Sequence, residues 1–144
     1  MGQKLTLDDA QNALSGHLIE KAEMIRDKYG FDIDYNTLLD ILSDEEVVRY
    51  PVRLEFNSEV LEQGMFAKAQ PVSENPSDGY VIFVHEYFQN QLEVVPALVL
   101  YHLVSVNYGD FSTCKDAELF GASVLGMEQE DYYQLICQLA DEIN

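Results

Sequence analysis

The sequence predicts a single α+β domain, in which a small antiparallel three-stranded sheet packs on helices and further helices lie at both ends. Three observations support this class. Apolar side chains recur at helical spacing near both ends of the chain, residues 52–84 contain three short strand-like segments, and residues 92–106 are the most apolar stretch. A chain of 144 residues is long enough for one domain with a sizeable core. We therefore expect one domain over residues 1–144.

Residues 1–50 are predicted to form a helical N-terminal part. Thr6 is a suitable N-cap for a long first helix, and Asp34 or Asn36 is suitable for a second. The pattern Ser43-Asp44-Glu45-Glu46 is typical of a capping box, so it predicts a third, short helix. The first helix is amphipathic and is expected to pack on the rest of the domain.

Three strands are predicted between the helices. Residues 52–57 alternate between apolar and polar side chains, residues 64–72 form a second segment, and residues 80–85 are apolar throughout. Residues 73–79 are rich in turn-forming side chains. The second and third strands are therefore expected to form a hairpin, and the three strands an antiparallel meander.

The helix predicted over residues 92–108 is apolar nearly all round, so it is expected to be central and buried. Pro96 is tolerated only in a first turn, which places the beginning of this helix near Val94 or Val95. Polar groups on a buried helix need partners, so the polar side chains of this helix are expected to be hydrogen-bonded. Two more helices are predicted over residues 116–125 and 129–143.

The two helices that follow the third strand carry a pattern that resembles zincin-like metallopeptidases with a glutamate as third zinc ligand. In those families one helix carries His-Glu-x-x-His and a later Gly-Asp, and the next carries Glu-Ala-Asp-x-Phe-Ala-Ala-x-Leu-Leu. Here the first helix reads Tyr101-His102-Leu103-Val104-Ser105, followed by Gly109-Asp110. The second reads Asp116-Ala117-Glu118-Leu119-Phe120-Gly121-Ala122-Ser123-Val124-Leu125. The resemblance implies a zincin-like core over residues 51–144.

The residues that would bind zinc in such a family are missing from this chain. Tyr101 and Ser105 stand at the two histidine positions, one helical turn apart on one face, and His102 stands at the general-base glutamate. Of the implied ligands only Asp116, at the third-ligand position, is able to bind a metal. The resemblance therefore implies a pseudoenzyme without catalytic residues, metal or cofactor. Its degenerate site, formed by Tyr101, His102, Ser105 and Asp116, would face a protein or peptide partner.

The net charge of the chain limits the classes of partner that it is expected to bind. The formal net charge is −18, and Lys115 is the only basic residue after Lys68. Such a field repels nucleic acids and anionic membranes. No segment reaches the length of a membrane helix and no apolar leader is visible, so we expect a cytoplasmic protein. The two cysteines, Cys114 and Cys137, are then expected to be free thiols.

Two other interpretations stay open. The chain is also compatible with an acidic interaction protein unrelated to zincins, such as a secretion-chaperone-like dimer or a nucleic-acid mimic. A third interpretation is a hydrolase with an atypical site built from His85, His102 and Asp116, with Glu86 as base. His85-Glu86 does not extend to a zinc motif, because Gln89 lies where the second histidine would be. The partner and the oligomeric state are left open.

Overall fold

The computed structural model of the chain describes residues 7–109 and 112–143. Its helices and strands are α1 (Leu7–Tyr29), α2 (Tyr35–Leu42), β1 (Val52–Phe56), β2 (Ala67–Pro71), β3 (Tyr80–Val84), α3 (Val95–Tyr108), α4 (Cys114–Leu125) and α5 (Gln129–Asp141). The α+β class with three strands and helices at both ends is confirmed. The expected cap Thr6 and the Asp110 of the Gly-Asp pair lie outside the described residues.

The sheet is mixed rather than antiparallel throughout, which corrects the predicted meander. Its order is β1-β3-β2; β3 pairs antiparallel with β2, as the hairpin prediction required, but parallel with β1. β3 takes the centre because Val81 and Ile82, which point to opposite faces, are both buried. β2 carries Pro71, which has no N–H for a second neighbour and therefore suits an edge.

Helix α3 covers one face of the sheet and forms the middle of the core. The register places Ala67 beside Val84 and Ala69 beside Ile82, on the face that packs against α3. Helix α4 in turn contacts α1, α3 and α5. The Val81 side of the sheet is lined by polar side chains such as Arg53 and Gln70.

Helix α3 begins where its proline predicts. The helix starts at Val95 with Pro96 in its first turn, where the missing N–H costs no intrahelical hydrogen bond. It ends at Gly109, whose φ of 63° is in the region that favours glycine. Within the described ranges, no helix has both the length and the apolar character needed to cross a bilayer.

The segment after α2 is a turn rather than the predicted third helix. Asp34 is the N-cap of α2, but Ser43, the first residue of the predicted capping box, is the C-cap of α2 and does not begin a further helix. The Asp44 carboxylate accepts hydrogen bonds from Lys28 Nζ at 2.6 Å, Tyr29 Oη at 2.7 Å and the Glu46 N–H at 2.9 Å. These bonds, the Lys28 bond first, lower the pKa of Asp44 to about 2. Helix α1 thus supplies the partners that a helical turn would have supplied.

The same connecting segment is tied to α3 by a buried amide. Asn107 donates from Nδ2 to the Val47 carbonyl at 3.1 Å and accepts the Arg49 N–H at 2.9 Å on Oδ1. Asn107 is one of two buried polar residues in the described core. Because both ends of its amide are used, it fixes the path of residues 47–49 without leaving an unsatisfied group.

Candidate functional site

Three of the four predicted site residues lie together where α3 faces the beginning of α4. Tyr101, His102 and Ser105 line a concavity of about 180 Å³, which the N-terminal residues of α4 close from the other side. The lining on that side consists of Ser112 and Thr113, which precede α4, and of Cys114 and Ala117 in its first turn. The one-turn spacing on α3 therefore places its side chains on a shared surface, as the sequence predicted.

His102 lies among aromatic rings and is electrically neutral at neutral pH. Its ring centroid is 5.3 Å from that of Phe66 and 5.4 Å from that of Tyr101. The Nε2 atom is buried and has no hydrogen-bond partner, which contradicts the expectation that the polar groups of α3 are all satisfied. Burial lowers the pKa of His102 to about 4, because the charged imidazolium would lose its hydration.

Tyr101 is held in its protonated form. Burial raises the pKa of its hydroxyl well above the ordinary value, and a hydrogen bond with Cys114 raises that pKa further. The nearby acidic groups of Cys114, Glu118 and Cys137 act in the same direction. The Tyr101 hydroxyl is therefore a hydrogen-bonding group in this site and not a base or a nucleophile.

Ser105 is exposed and does not interact with the imidazole. Its Oγ donates to the backbone carbonyl of His102 at 2.8 Å, a bond within its own helix. A serine nucleophile needs a general base within hydrogen-bond reach of its hydroxyl. The described contacts of Ser105 include no such base. Ser105 and His102 therefore do not form a nucleophile–base pair.

Asp116 is buried and its carboxylate is used to cap α4. Oδ2 accepts from the Thr113 N–H at 2.8 Å and from the Thr113 hydroxyl at 3.0 Å, and Thr113 Oγ1 accepts the Asp116 N–H at 3.3 Å. This reciprocal arrangement is a capping box. The spacing Thr113-x-x-Asp116 carries that signature in the sequence, and it would have predicted both the cap and the start of α4 at Cys114.

In the described part of the chain, the residues of the atypical hydrolase site do not form a metal-binding group. His85 uses Nδ1 to accept the Tyr87 N–H at 3.1 Å, which caps a short 3-10 helix at Glu86–Asn90. Within residues 7–109 and 112–143, no group of three or more histidine, cysteine, aspartate or glutamate side chains is placed to hold a metal ion. His85, His102 and Asp116 therefore do not form such a group.

Two features of the site were not predicted as parts of it. Phe66 comes from the segment that leads into β2, and its ring lies 5.8 Å from that of Tyr101. Cys114 opens α4 and its thiol is exposed and free, as is that of Cys137, in agreement with the prediction of free thiols. Contacts between distant segments carry no local signal, so Phe66 was not accessible to sequence analysis.

No protein-family model, curated protein or solved structure matches the chain. The chemistry of the site must therefore be argued from its own residues. It contains a neutral imidazole, a protonated phenol, a serine bonded to its own helix and a carboxylate engaged in a cap. Such a set can hold a ligand by hydrogen bonds and ring contacts, but it contains no activated nucleophile.

Proposed function

We propose that this protein is a catalytically inactive zincin-like domain that binds a protein or peptide. The observation that carries the proposal is the concavity between α3 and α4. Its α3 wall is formed by the residues at the two histidine positions and at the general-base position of the zincin pattern, Tyr101, Ser105 and His102. Helix α4 begins directly opposite with the turn that contains Asp116, the third-ligand position.

An extended peptide is a suitable ligand because β2 is an edge strand of the described sheet. The bonds from the His85 N–H to the Phe66 carbonyl, 2.8 Å, and from the Val72 N–H to the Gly79 carbonyl, 2.9 Å, fix which residues face β3. Ala67 and Ala69 have the opposite parity, so their backbone groups point away from the sheet. An added strand forms its hydrogen bonds with such groups. The ring of Phe66 connects this edge to Tyr101.

The peptide proposal is tested with a displayed library of random peptides, followed by fluorescence polarisation of the selected peptides. Ala69→Pro removes an outward N–H and leaves the bonds to β3 intact, as Pro71 already does at the same parity. Tyr101→Leu removes the phenol at similar volume. We expect each variant to weaken binding by about tenfold, a loss of about 1.4 kcal/mol. Arg53→Gln, on β1 at the other edge, is the matched control.

Two results would contradict the peptide proposal. One is the absence of any saturable peptide. The other is a set of peptides whose affinity is the same for Ala69→Pro, Tyr101→Leu and the wild-type protein. Basic peptides that bind in this indifferent way would instead favour an acidic interaction protein, because the net charge of −18 alone would then explain their attraction.

The zincin-like part of the proposal is tested by restoring the motif. The variant combines four substitutions: Tyr101→His, His102→Glu, Ser105→His and Asp116→Glu. Histidines at i and i+4 share one helix face, so we expect about one tightly bound zinc ion per chain. Peptidase activity is not expected, since it also requires a positioned substrate and partners for the ligands.

The matched control for zinc binding keeps Tyr101 and carries the other three substitutions. This control still carries Asp116→Glu, the substitution in the capping box of α4, but it has one histidine fewer than the fourfold variant. Elemental analysis after dialysis measures the zinc, and circular dichroism reports whether each variant is folded. A folded fourfold variant that binds no more zinc than its control would show that these positions do not converge, and the zincin-like ancestry would have to be given up.

A further inference from the structure

A second concavity, of about 290 Å³, lies between α1, the segment after α2 and the C-terminal end of α3. It shares no lining residue with the concavity of Tyr101. Its polar lining consists of His17 and Lys21 from α1, Glu45 and Arg49 from the connecting segment, and Asn107 and Tyr108 from α3. Two cations and two further donor groups thus converge in a chain that has 26 acidic residues and only eight lysines and arginines.

Within the described residues, the two cations of this concavity form no ion pair, although Glu45 is part of the same lining. In the described part of the chain, ion pairs involve Arg26 and Lys28, but neither Lys21 nor Arg49. Lys21 Nζ donates to a neutral group, the Glu46 carbonyl, at 2.7 Å. The Arg49 guanidinium lies over the ring of Tyr50, 5.4 Å from its centroid, and the hydrogen bond described for Arg49 uses its backbone N–H rather than its guanidinium. The two cations therefore remain able to pair with a bound anion.

The backbone that carries Arg49 is held from two sides. The buried Asn107 accepts the Arg49 N–H at 2.9 Å, and the Lys21 bond ties residue 46 to α1. The backbone that carries the Arg49 side chain is therefore fixed before a ligand binds, which lowers the cost of ordering this wall. The ring of Tyr108 contacts His17 with centroids 5.6 Å apart, so the two remaining donor side chains adjoin each other.

We propose that this concavity binds a small oxyanion, namely phosphate or the phosphate group of a small molecule. The Arg49 guanidinium and the Lys21 ammonium supply the charge, and the His17 imidazole and Tyr108 hydroxyl supply hydrogen bonds. Glu45 is the one carboxylate of the lining, and together with the net charge of −18 it disfavours polyanions such as nucleic acids. The volume matches the lower end of small-molecule sites, about 300 Å³.

Backbone amide NMR spectra of the full chain, titrated with sodium phosphate at constant ionic strength, test the proposal. We expect saturable shifts of the Lys21, Arg49 and Asn107 resonances. Arg49→Gln and Lys21→Gln should each weaken phosphate binding at least about fivefold, because each removes a charge-assisted contact. Arg49→Gln keeps the backbone N–H that Asn107 binds, so the variant is expected to fold. Arg53→Gln, an arginine outside the concavity, should bind like the wild-type protein.

Glycerol phosphate and acetate identify the ligand class. Tighter binding of glycerol phosphate than of phosphate would support a phosphorylated small molecule, and equal binding would support free phosphate. Weaker binding of acetate is expected in both cases, because a carboxylate offers fewer oxygens and less charge than phosphate. Absence of saturable shifts up to about 20 mM phosphate, well beyond a Kd of order 1 mM, would overturn the proposal. Shifts that are unchanged in Arg49→Gln would overturn it as well.

Discussion

The neutral His102 should make the stability of the protein fall as the solution becomes mildly acidic. Its pKa in the folded protein is about 4, against an ordinary value of 6.5. Between these two values the unfolded chain binds a proton that the folded chain does not, so the free energy of unfolding decreases as the pH falls. At about 1.4 kcal/mol for each pH unit of difference, this contribution amounts to about 3 kcal/mol between pH 7 and pH 4.

Urea unfolding at several pH values measures this effect when the wild-type protein is compared with His102→Leu. The leucine cannot be protonated and has a similar volume, so the variant should lose less stability on acidification. The stability of the wild type relative to the variant should therefore fall by about 3 kcal/mol from pH 7 to pH 4. Ser105→Ala, on the exposed side of the same helix, should leave the wild-type pH dependence unchanged. A difference between wild type and His102→Leu that does not vary with pH would refute the reasoning.

The physical cause is tested by uncovering the imidazole. Phe66 contributes to the burial of His102 from the β2 side, with ring centroids 5.3 Å apart. Phe66→Ala should admit water and raise the pKa of His102 toward 6.5, which NMR titration of the imidazole resonances measures directly. If the pKa stayed near 4 in a folded Phe66→Ala variant, burial beneath Phe66 would not be what depresses it.

Two further predictions concern packing and the turn after α2. Gly121→Ala should destabilise the protein by about 1–3 kcal/mol in urea unfolding, because the new methyl group would overlap the ring of Tyr132. The hydroxyl of Tyr132 is fixed by a 2.6 Å bond to the Ala97 carbonyl. An unchanged stability would mean that this ring moves freely. Asp44→Asn should cost about 1–2 kcal/mol at pH 7. Because the folded pKa of Asp44 is lowered from 3.8 to about 2, the cost should shrink as the pH falls from about 4 toward 2, and an equal cost at all pH values would contradict it.

The helices and strands could be predicted from the sequence where a local residue pattern is enough to determine them. Pro96 placed the start of α3, and the turn-rich residues 73–79 placed the hairpin of β2 and β3. The parallel pairing of β1 with β3 could not be predicted, because the alternation of side chains within a strand does not determine which strand it pairs with or in which direction. What decides the order is the contrast between a strand buried on both faces and a strand that contains Pro71.

The absent third helix shows how distant partners override a local pattern. Residues 43–46 have the sequence of a capping box, but Ser43 ends α2, and Lys28 and Tyr29 of α1 bind the carboxylate of Asp44. Asn107 of α3 then binds the backbone of the following residues. Sequence patterns that predict helices depend only on residues within a turn or two of each other. They therefore give no information on hydrogen bonds between residues 15 to 60 positions apart.

At the candidate site the sequence predicted which α3 residues share a surface but not the state of each side chain. The spacing of Tyr101 and Ser105 follows from helix geometry alone. The low pKa of His102 depends on burial that includes the ring of Phe66, which the approach of β2 brings close. Such contacts follow from tertiary packing, so they cannot be predicted from a local sequence pattern.

The capping box gives Asp116 a structural reason to be present that is independent of any metal. Its carboxylate is short enough to reach back to Thr113 within the first turn of α4, where it satisfies a backbone N–H and favours the positive end of the helix dipole. A zinc ligand at this position must instead direct its oxygen toward α3. Within the proposed ancestry, this capping role would by itself explain why an acidic residue is retained at position 116. In the fourfold variant the longer glutamate must leave Thr113 to reach zinc, so metal binding should lower the protection of the Thr113 amide against hydrogen exchange. Zinc binding with that amide still fully protected would mean that residue 116 does not act as the third ligand.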